Sequence, residues 1–138
     1  MGTLSVMATD NKHIIQEALA KLIQTGDATA LEPFLHADFV HHRPDSTLNK
    51  ARWLAAVRAV PLADLRVDIR HLLADGAYVV MHSRRWLATG GQEIAGVDIW
   101  RVENGLIAEG WEILEPIAEA ADHFVWWQAA PTPFASQP

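Results

Sequence analysis

The sequence predicts an α+β domain in which three N-terminal helices pack on one face of a strongly curved antiparallel sheet. Three observations carry this. Apolar residues recur at helical spacing up to Pro61. From Leu65 onward they alternate at period two between turn signals. The chain has 138 residues, 50% of them apolar, enough to bury one core without disulfide or metal staples.

Each element has its own signal. Ile14, Ile15, Ala18, Leu19, Leu22 and Ile23 share one side of a helix over residues 9–25, with Thr9 or Asp10 as N-cap and Gly26 as stop. Asp27 caps a second, short helix over 27–35, lined by Ala28, Leu31, Phe34 and Leu35 despite Pro33. The chain then runs extended from Asp38 to Pro44. A third helix over 48–60 carries Trp53, Leu54 and Val57 and ends before Pro61. Residues 65–70 read as a strand, Asp75-Gly76 as a turn and 78–87 as the returning strand. Gly90-Gly91 breaks the chain, 94–102 forms a third long strand, Asn104-Gly105 turns it, and 106–114 returns before Pro116. A single domain over 1–130 is expected, and 131–138, rich in Pro, Ala and Ser, reads as a mobile tail.

Composition narrows the partners. Seventeen acidic residues against eleven basic ones give a formal charge of −6, and the basic residues form no stripe. Nucleic acid and anionic membrane are therefore not expected as partners, and a small neutral molecule is. There are 0 cysteines, which excludes thiol catalysis and zinc–thiolate sites. The opening residues lack the basic start and apolar run of a signal peptide, so a cytoplasmic location is expected.

The stretch from Gly96 to Ile117, with Val97-Asp98-Ile99-Trp100-Arg101 before the turn and Ile107-Ala108-Glu109-Gly110-Trp111-Glu112 after it, resembles the closing hairpin of SnoaL-like proteins. These belong to the nuclear transport factor 2-like superfamily. Phe39-Val40-His41-His42-Arg43-Pro44 is similar to the family's aromatic-x-x-His-x-Pro element, and Met81-His82-Ser83 to its mid-sheet His-Ser. The resemblance covers residues 10–117 and implies a cone-shaped sheet around an apolar pocket. It also implies a superfold that hosts polyketide cyclases, steroid isomerases, epoxide hydrolases, dehydratases and proteins without known catalysis. Two positions depart from the pattern: Gly110 stands where the family has His, and Glu112 where it has Asp.

Alternation puts Val80, His82, Arg84 and Trp86 on one face of their strand, and Asp98, Trp100 and Val102 on one face of theirs. A carboxyl group among Trp and Val side chains loses hydration and its pKa rises, which makes Asp98 the first candidate for a proton carrier. The alternative is a structural ion pair with Arg84 or Arg101. His42 and His82 are candidates to move a proton beside Asp98 or to orient a substrate carbonyl, provided their rings face inward. His41 alternates to the other side of His42 and is expected outside. No close-spaced ligand motif joins His41, His42, His82 and Asp98, so no metal and no cofactor is expected.

The register of the last hairpin decides the place of Glu112. A two-residue turn sets Asp98 opposite Trp111; a three-residue turn with a bulge sets it opposite Gly110, on one face with Glu112. The resemblance favours the second and makes Glu112 a fourth catalytic candidate. Six tryptophans, with Phe34, Phe39, Tyr78 and Phe124, supply flat apolar surface. Trp86 and Trp100 are expected as pocket walls, with Phe39, Trp53 and Arg84 as further substrate-binding residues. Trp126-Trp127 is expected to cover the pocket mouth or a partner subunit.

The function expected from these residues and the resemblance is cofactor-independent acid–base chemistry, namely cyclisation, isomerisation or dehydration of a polyketide-like or polycyclic carbonyl compound. The alternatives are an epoxide hydrolase-like activity, a small-molecule binder without turnover, and a structural dimer whose own side chains fill the cavity. A homodimer is expected through an outer face carrying Ile99, Trp111 and Ile113.

Overall fold

The computed structural model describes residues 2–118 and 120–123, apart from the side chains of residues 2–6 and 9. Phe124, Trp126-Trp127 and the segment 131–138 lie outside the described residues.

Helix α1 (Gly2–Thr25) buries Ile15 and Ala18, with Ile14 and Leu22 packed beside them. It starts earlier than the sequence predicts, so Thr9 and Asp10 lie inside it rather than at its cap. It ends where predicted: Gly26 takes φ +65°, and its N–H donates to Leu22 O at 2.9 Å. The second helix is a 3₁₀ helix (Ala28–Phe34) with Asp27 as its cap, the carboxylate accepting from Thr29 N at 2.9 Å. Strand β1 (Leu35–Arg43) and the short β2 (Ser46–Asn49) follow. Helix α2 (Lys50–Arg58) is capped by Asn49, which accepts from Arg52 N at 2.9 Å, so Leu48 belongs to β2 and not to the helix. The meander consists of β3 (Leu65–Asp75), β4 (Tyr78–Leu87), β5 (Ile94–Glu103) and β6 (Leu106–Pro116). A 3₁₀ turn (Ala120–His123) comes after it.

The six strands form one open sheet in the order β2-β1-β6-β5-β4-β3. The meander is antiparallel throughout, as expected. The whole sheet is mixed, because the stretch read only as extended chain is a strand and β1 pairs with β6 in parallel. The chain reverses three times between β3 and β6, which returns β6 beside β1 running the same way. Helix α1 lies on β3 and β4, and α2 on β1. Asn11 ties α1 to the β3–β4 turn by donating to Gly76 O at 3.0 Å.

The last hairpin takes neither of the two registers considered from sequence. Asn104 and Gly105 both have positive φ (52° and 80°) and make a two-residue turn, with Glu103 opposite Leu106. Ala108 is then left over as a bulge, and beyond it Asp98 stands directly opposite Glu112 and Trp100 opposite Gly110. Glu112 therefore shares the inner face with Asp98, by a bulge in β6 rather than by a longer turn.

Gly110 has a packing reason. A Cβ there would lie 2.5 Å from Cζ3 of Trp100 and 3.2 Å from Cδ2 of His41, its neighbour in register on β1. Any side chain, including the family's histidine, would collide with the indole. Gly110→Ala is expected to lower stability by about 1–3 kcal/mol through overpacking. A thermal melt by circular dichroism checks this, and an unchanged melting temperature would show that the Trp100 ring is free to leave.

Candidate active site

The inner face of the sheet and the helices line a cavity of about 160 Å³ that is open on one side. Its wall is hydrocarbon from α1, α2 and Met81, with Trp53 and Trp100, and four charged residues, Arg43, Arg85, Asp98 and Glu112, reach it from the sheet. Side chains of the described residues leave this space open, which speaks against the reading of a self-filled structural dimer.

Inward positions follow from the pleat. On β4 the buried residues are Val79, Met81 and Ser83, and Arg85 continues that face. On β5 they are Gly96, Asp98 and Val102. Asp98 has Met81 as its cross-strand partner on one side and Glu112 on the other. Asp98 is 2% exposed. Arg85 spans the three strands: its Nη2 donates to Asp98 Oδ2, its Nη1 to Glu112 Oε2 at 2.9 Å, and its Nε to Ser83 Oγ at 3.1 Å. Arg43 of β1 reaches the other oxygen of Glu112, Nε to Oε1, at 3.3 Å. The guanidinium of Arg85 lies over Gly96, where a Cβ would come within 2.9 Å of Cζ. A glycine within a strand marks such a close approach, so Gly96 carried a signal for this packing that the sequence reading did not use.

Burial pushes the Asp98 carboxyl up to about 7, against the pull of Arg85 and with the help of Glu112. Near neutral pH it therefore exists in both protonation states. When it is protonated, two guanidinium groups face one carboxylate, and the site favours negative charge developing on a ligand oxygen.

Several placements differ from the sequence reading. The ion partner of Asp98 is Arg85, not Arg84 or Arg101. Arg84 faces outward and pairs with Glu93 at 3.5 Å, and Arg101 pairs with Glu109 at 3.1 Å. His82 lies on the outer face, its Nδ1 3.0 Å from Nδ1 of His71, and so stands away from Asp98. Trp86 is also outside, 39% exposed. The predicted face of this strand was the wrong one, because both faces mix apolar and ionisable residues and the alternation cannot rank them.

The two adjacent histidines also exchange roles. His42 faces outward, stacked on Trp111 and bonded through Nε2 to Glu109 Oε2 at 2.6 Å. His41 is 0% exposed among Phe39, Trp53 and Trp100, and neither ring nitrogen has a hydrogen-bond partner among the described residues. Burial pushes its pKa down to about 4, only partly opposed by Glu112, so the ring is neutral at pH 7. Phe39 carried the missed signal: in a strand it shares a face with His41 and Arg43, and never with His42. Phe39 itself, 1% exposed, sits in the core behind Trp53 rather than on the cavity wall. Of the predicted site residues, the fold thus gathers Asp98, Glu112, Trp100 and Trp53 at one cavity and adds Arg85 and Arg43, while His41 lies behind Trp53 and Trp100. No group of three or more His, Asp and Glu side chains stands close enough to hold a metal among the described residues. No helix among them is long and apolar enough to cross a membrane.

Residues 15–110 match the sequence profile of the SnoaL-like domain. The chain belongs to the SnoaL-like domain family. Solved structures agree on the fold of this SnoaL-like protein. A LEH-like epoxide hydrolase from M. tuberculosis superposes with a TM-score of 0.65 at 16% identity, covering 91% of this chain and 98% of that one. A steroid delta-isomerase from Pseudomonas aeruginosa gives 0.62 at 22% identity, covering 88% and 96%. An NTF2-like protein from Mesorhizobium loti gives 0.66 at 19%, covering 78% and 93%. No curated protein sequence matches the chain.

Asp98 and His41 impose opposite pH dependences on stability. Between about 3.8 and about 7 the folded protein holds an Asp98 proton that the unfolded chain has released, so this stabilisation is complete below that window and is lost as pH rises through 7. Between 6.5 and about 4 the unfolded chain binds a His41 proton that the folded protein lacks, so stability is lost as pH falls across that window. Thermal melts should show the melting temperature of Asp98→Asn, relative to wild type, rising from about pH 4 to 7. That of His41→Gln should fall, relative to wild type, from about pH 4 to 6.5. Differences that stay flat with pH would refute the two burial effects.

Proposed function

We propose that this protein catalyses cofactor-independent acid–base chemistry on a small carbonyl compound, with Asp98 as the proton carrier. The observation that carries this reading is a carboxyl group 2% exposed, on the wall of an apolar cavity, with its pKa pushed up to about 7. In the isomerisation of a β,γ-unsaturated ketone, ionised Asp98 takes a proton from the carbon between the carbonyl and the C=C bond. The C–H electron pair forms a new C=C bond to the carbonyl carbon, the C=O electrons move to oxygen to give a dienolate, and that negative charge is met by the guanidinium groups of Arg85 and Arg43. Asp98 then gives the proton to the γ carbon, the C=C bond shifts into conjugation and the carbonyl re-forms. Cyclisation and dehydration begin with the same proton transfer. The likeness to a steroid delta-isomerase supports a fold suited to this chemistry.

The pairing of Asp98 and Glu112 through Arg85 favours a second reading, epoxide opening, and the likeness to an epoxide hydrolase supports it. Glu112 takes a proton from water while the water oxygen bonds to an epoxide carbon. The C–O bond breaks, and protonated Asp98 gives its proton to the leaving oxygen. The product is a vicinal diol.

Incubating the protein in D2O with a panel of ketones, enones and epoxides tests both readings without the substrate being identified first. Nuclear magnetic resonance then follows deuterium entering the α position or diol appearing. Asp98→Asn is expected to lower the rate by about two orders of magnitude or more while calorimetry shows ligand binding retained. Unchanged turnover in the variant would sink the assignment of Asp98.

We also propose a homodimer through the outer sheet face, where Tyr78, Ile99, Trp111 and Ile113 line an apolar groove. Sedimentation at micromolar concentration should give the dimer mass for wild type and the monomer mass for Ile113→Glu. A wild-type monomer at that concentration would count against the interface.

A further inference from the structure

The cavity is polar at one end only. Its four charged groups come from β1, β4, β5 and β6, and the rest of its wall, from α1 and α2 through Leu62 to Met81, is hydrocarbon apart from the indole N–H groups of Trp53 and Trp100. A ligand oxygen turned toward that wall would lose its water and gain no partner, at a cost of about 1–3 kcal/mol for each such group. A molecule oxygenated all round its ring system is therefore disfavoured, and one with a single polar function on a hydrocarbon body is favoured.

Volume sets a second limit. The cavity of about 160 Å³ is close to the size of an engineered apolar cavity, about 150 Å³, that binds benzene. The part of a ligand that reaches Asp98 is thus limited to about six to ten non-hydrogen atoms. Charge sets a third limit. Both carboxyl groups at the polar end are already bound by Arg85 or Arg43, so no unpaired anion is offered to an ammonium group.

We propose that the substrate of this site is a compact neutral molecule, one ring or a short branched chain bearing a single carbonyl or epoxide oxygen, and that Trp53 sets its upper size. Trp53 is the bulkiest side chain that the helices contribute to the wall, 8% exposed and held edge-on to Trp100 at 6.1 Å and 69°. Truncating it opens the cavity toward Phe39 and His41, the rings it now covers. Polycyclic and polyketide-like compounds, expected from the family resemblance, are excluded from the charged end by this geometry. The inference rests on the acid–base reading only in taking this cavity as the substrate site.

The experiment measures binding of three ketones at neutral pH, cyclohexanone, a bicyclic decalone and a tetracyclic steroid ketone, by calorimetry and by the emission of the cavity tryptophans. Wild type is expected to bind the monocycle saturably and the tetracycle not at all. Trp53→Ala should tighten binding of the decalone by about tenfold or more. Ala56→Leu, which narrows the cavity from half-exposed α2 without removing a core side chain, should weaken the monocycle by about tenfold and decides the matter should Trp53→Ala fail to fold. The proposal is overturned by a tetracycle that displaces the monocycle from wild type, by no saturable binding of the monocycle, or by an Ala56→Leu variant of unchanged affinity. Asp98→Asn separates the two readings. If the size ranking holds while that variant turns over normally, the acid–base assignment fails and the substrate class stands; if its turnover collapses but the tetracycle binds, the reverse is true.

Discussion

The contact between Asp98 and Arg85 is the constraint around which the cavity end is arranged. A carboxyl group removed from water costs several kcal/mol unless a partner stands close and its remaining lone pairs are met. Arg85 is that partner, but a guanidinium brought inside needs acceptors of its own. Ser83 and Glu112 provide them, and Arg43 in turn holds the second oxygen of Glu112. The chain makes room for the flat guanidinium by having no side chain at Gly96. Remove any one of these and a buried charge is left without its counterpart.

The same contact explains why Asp98 retains chemical freedom. A carboxylate gripped by arginine in a polar setting would be held ionised at every ordinary pH. Here desolvation outweighs the attraction of Arg85, and Glu112 on the far side of the same guanidinium adds repulsion, so the proton is held loosely near neutrality. Glu112 stabilises Arg85 and destabilises the Asp98 charge at once, and it stands there because of the Ala108 bulge. Without that extra residue β6 would present Trp111 opposite Asp98 and turn Glu112 to the outer face.

Around this polar end the aromatic packing is tight and asymmetric. The indole of Trp100 lies on Gly110, beside His41, which is paired in register with Gly110. A histidine is thus present in this part of the sheet after all, contributed by β1 instead of β6. Its deep burial keeps it neutral and leaves the formal charge of the cavity end to the Asp98–Arg85–Glu112–Arg43 chain. His42, one residue on, belongs to the outer face with Trp111 and Glu109, where water and a second copy of the chain are its neighbours in the proposed dimer.

Much of this was legible in the residues themselves. Helical spacing from Ile14 to Ile23, the Asp27 cap, the Gly26 stop and the Asn104-Gly105 turn are local signals read by local physics, and each appears in the structure where the sequence puts it. So was the candidacy of Asp98, an acid set among Trp and Val on a strand of a family motif. The faces of β1 and β4 were not legible. His41 and His42, or Arg84 and Arg85, differ by one position in a strand whose two sides are both part apolar and part charged, so alternation alone assigns neither. Pairing with β6 and β5 decides which is inside, and the Ala108 bulge decides which face of β6 joins them. The sequence by itself determined the helices, the β3–β6 meander and their order, and singled out Asp98 as the candidate acid, whereas β1 and β2 were not legible as strands. Only the tertiary structure decided which arginine meets that acid and which histidine is buried beside Trp100, because facing is a property of strand register, and register is settled by contacts between residues far apart in the chain.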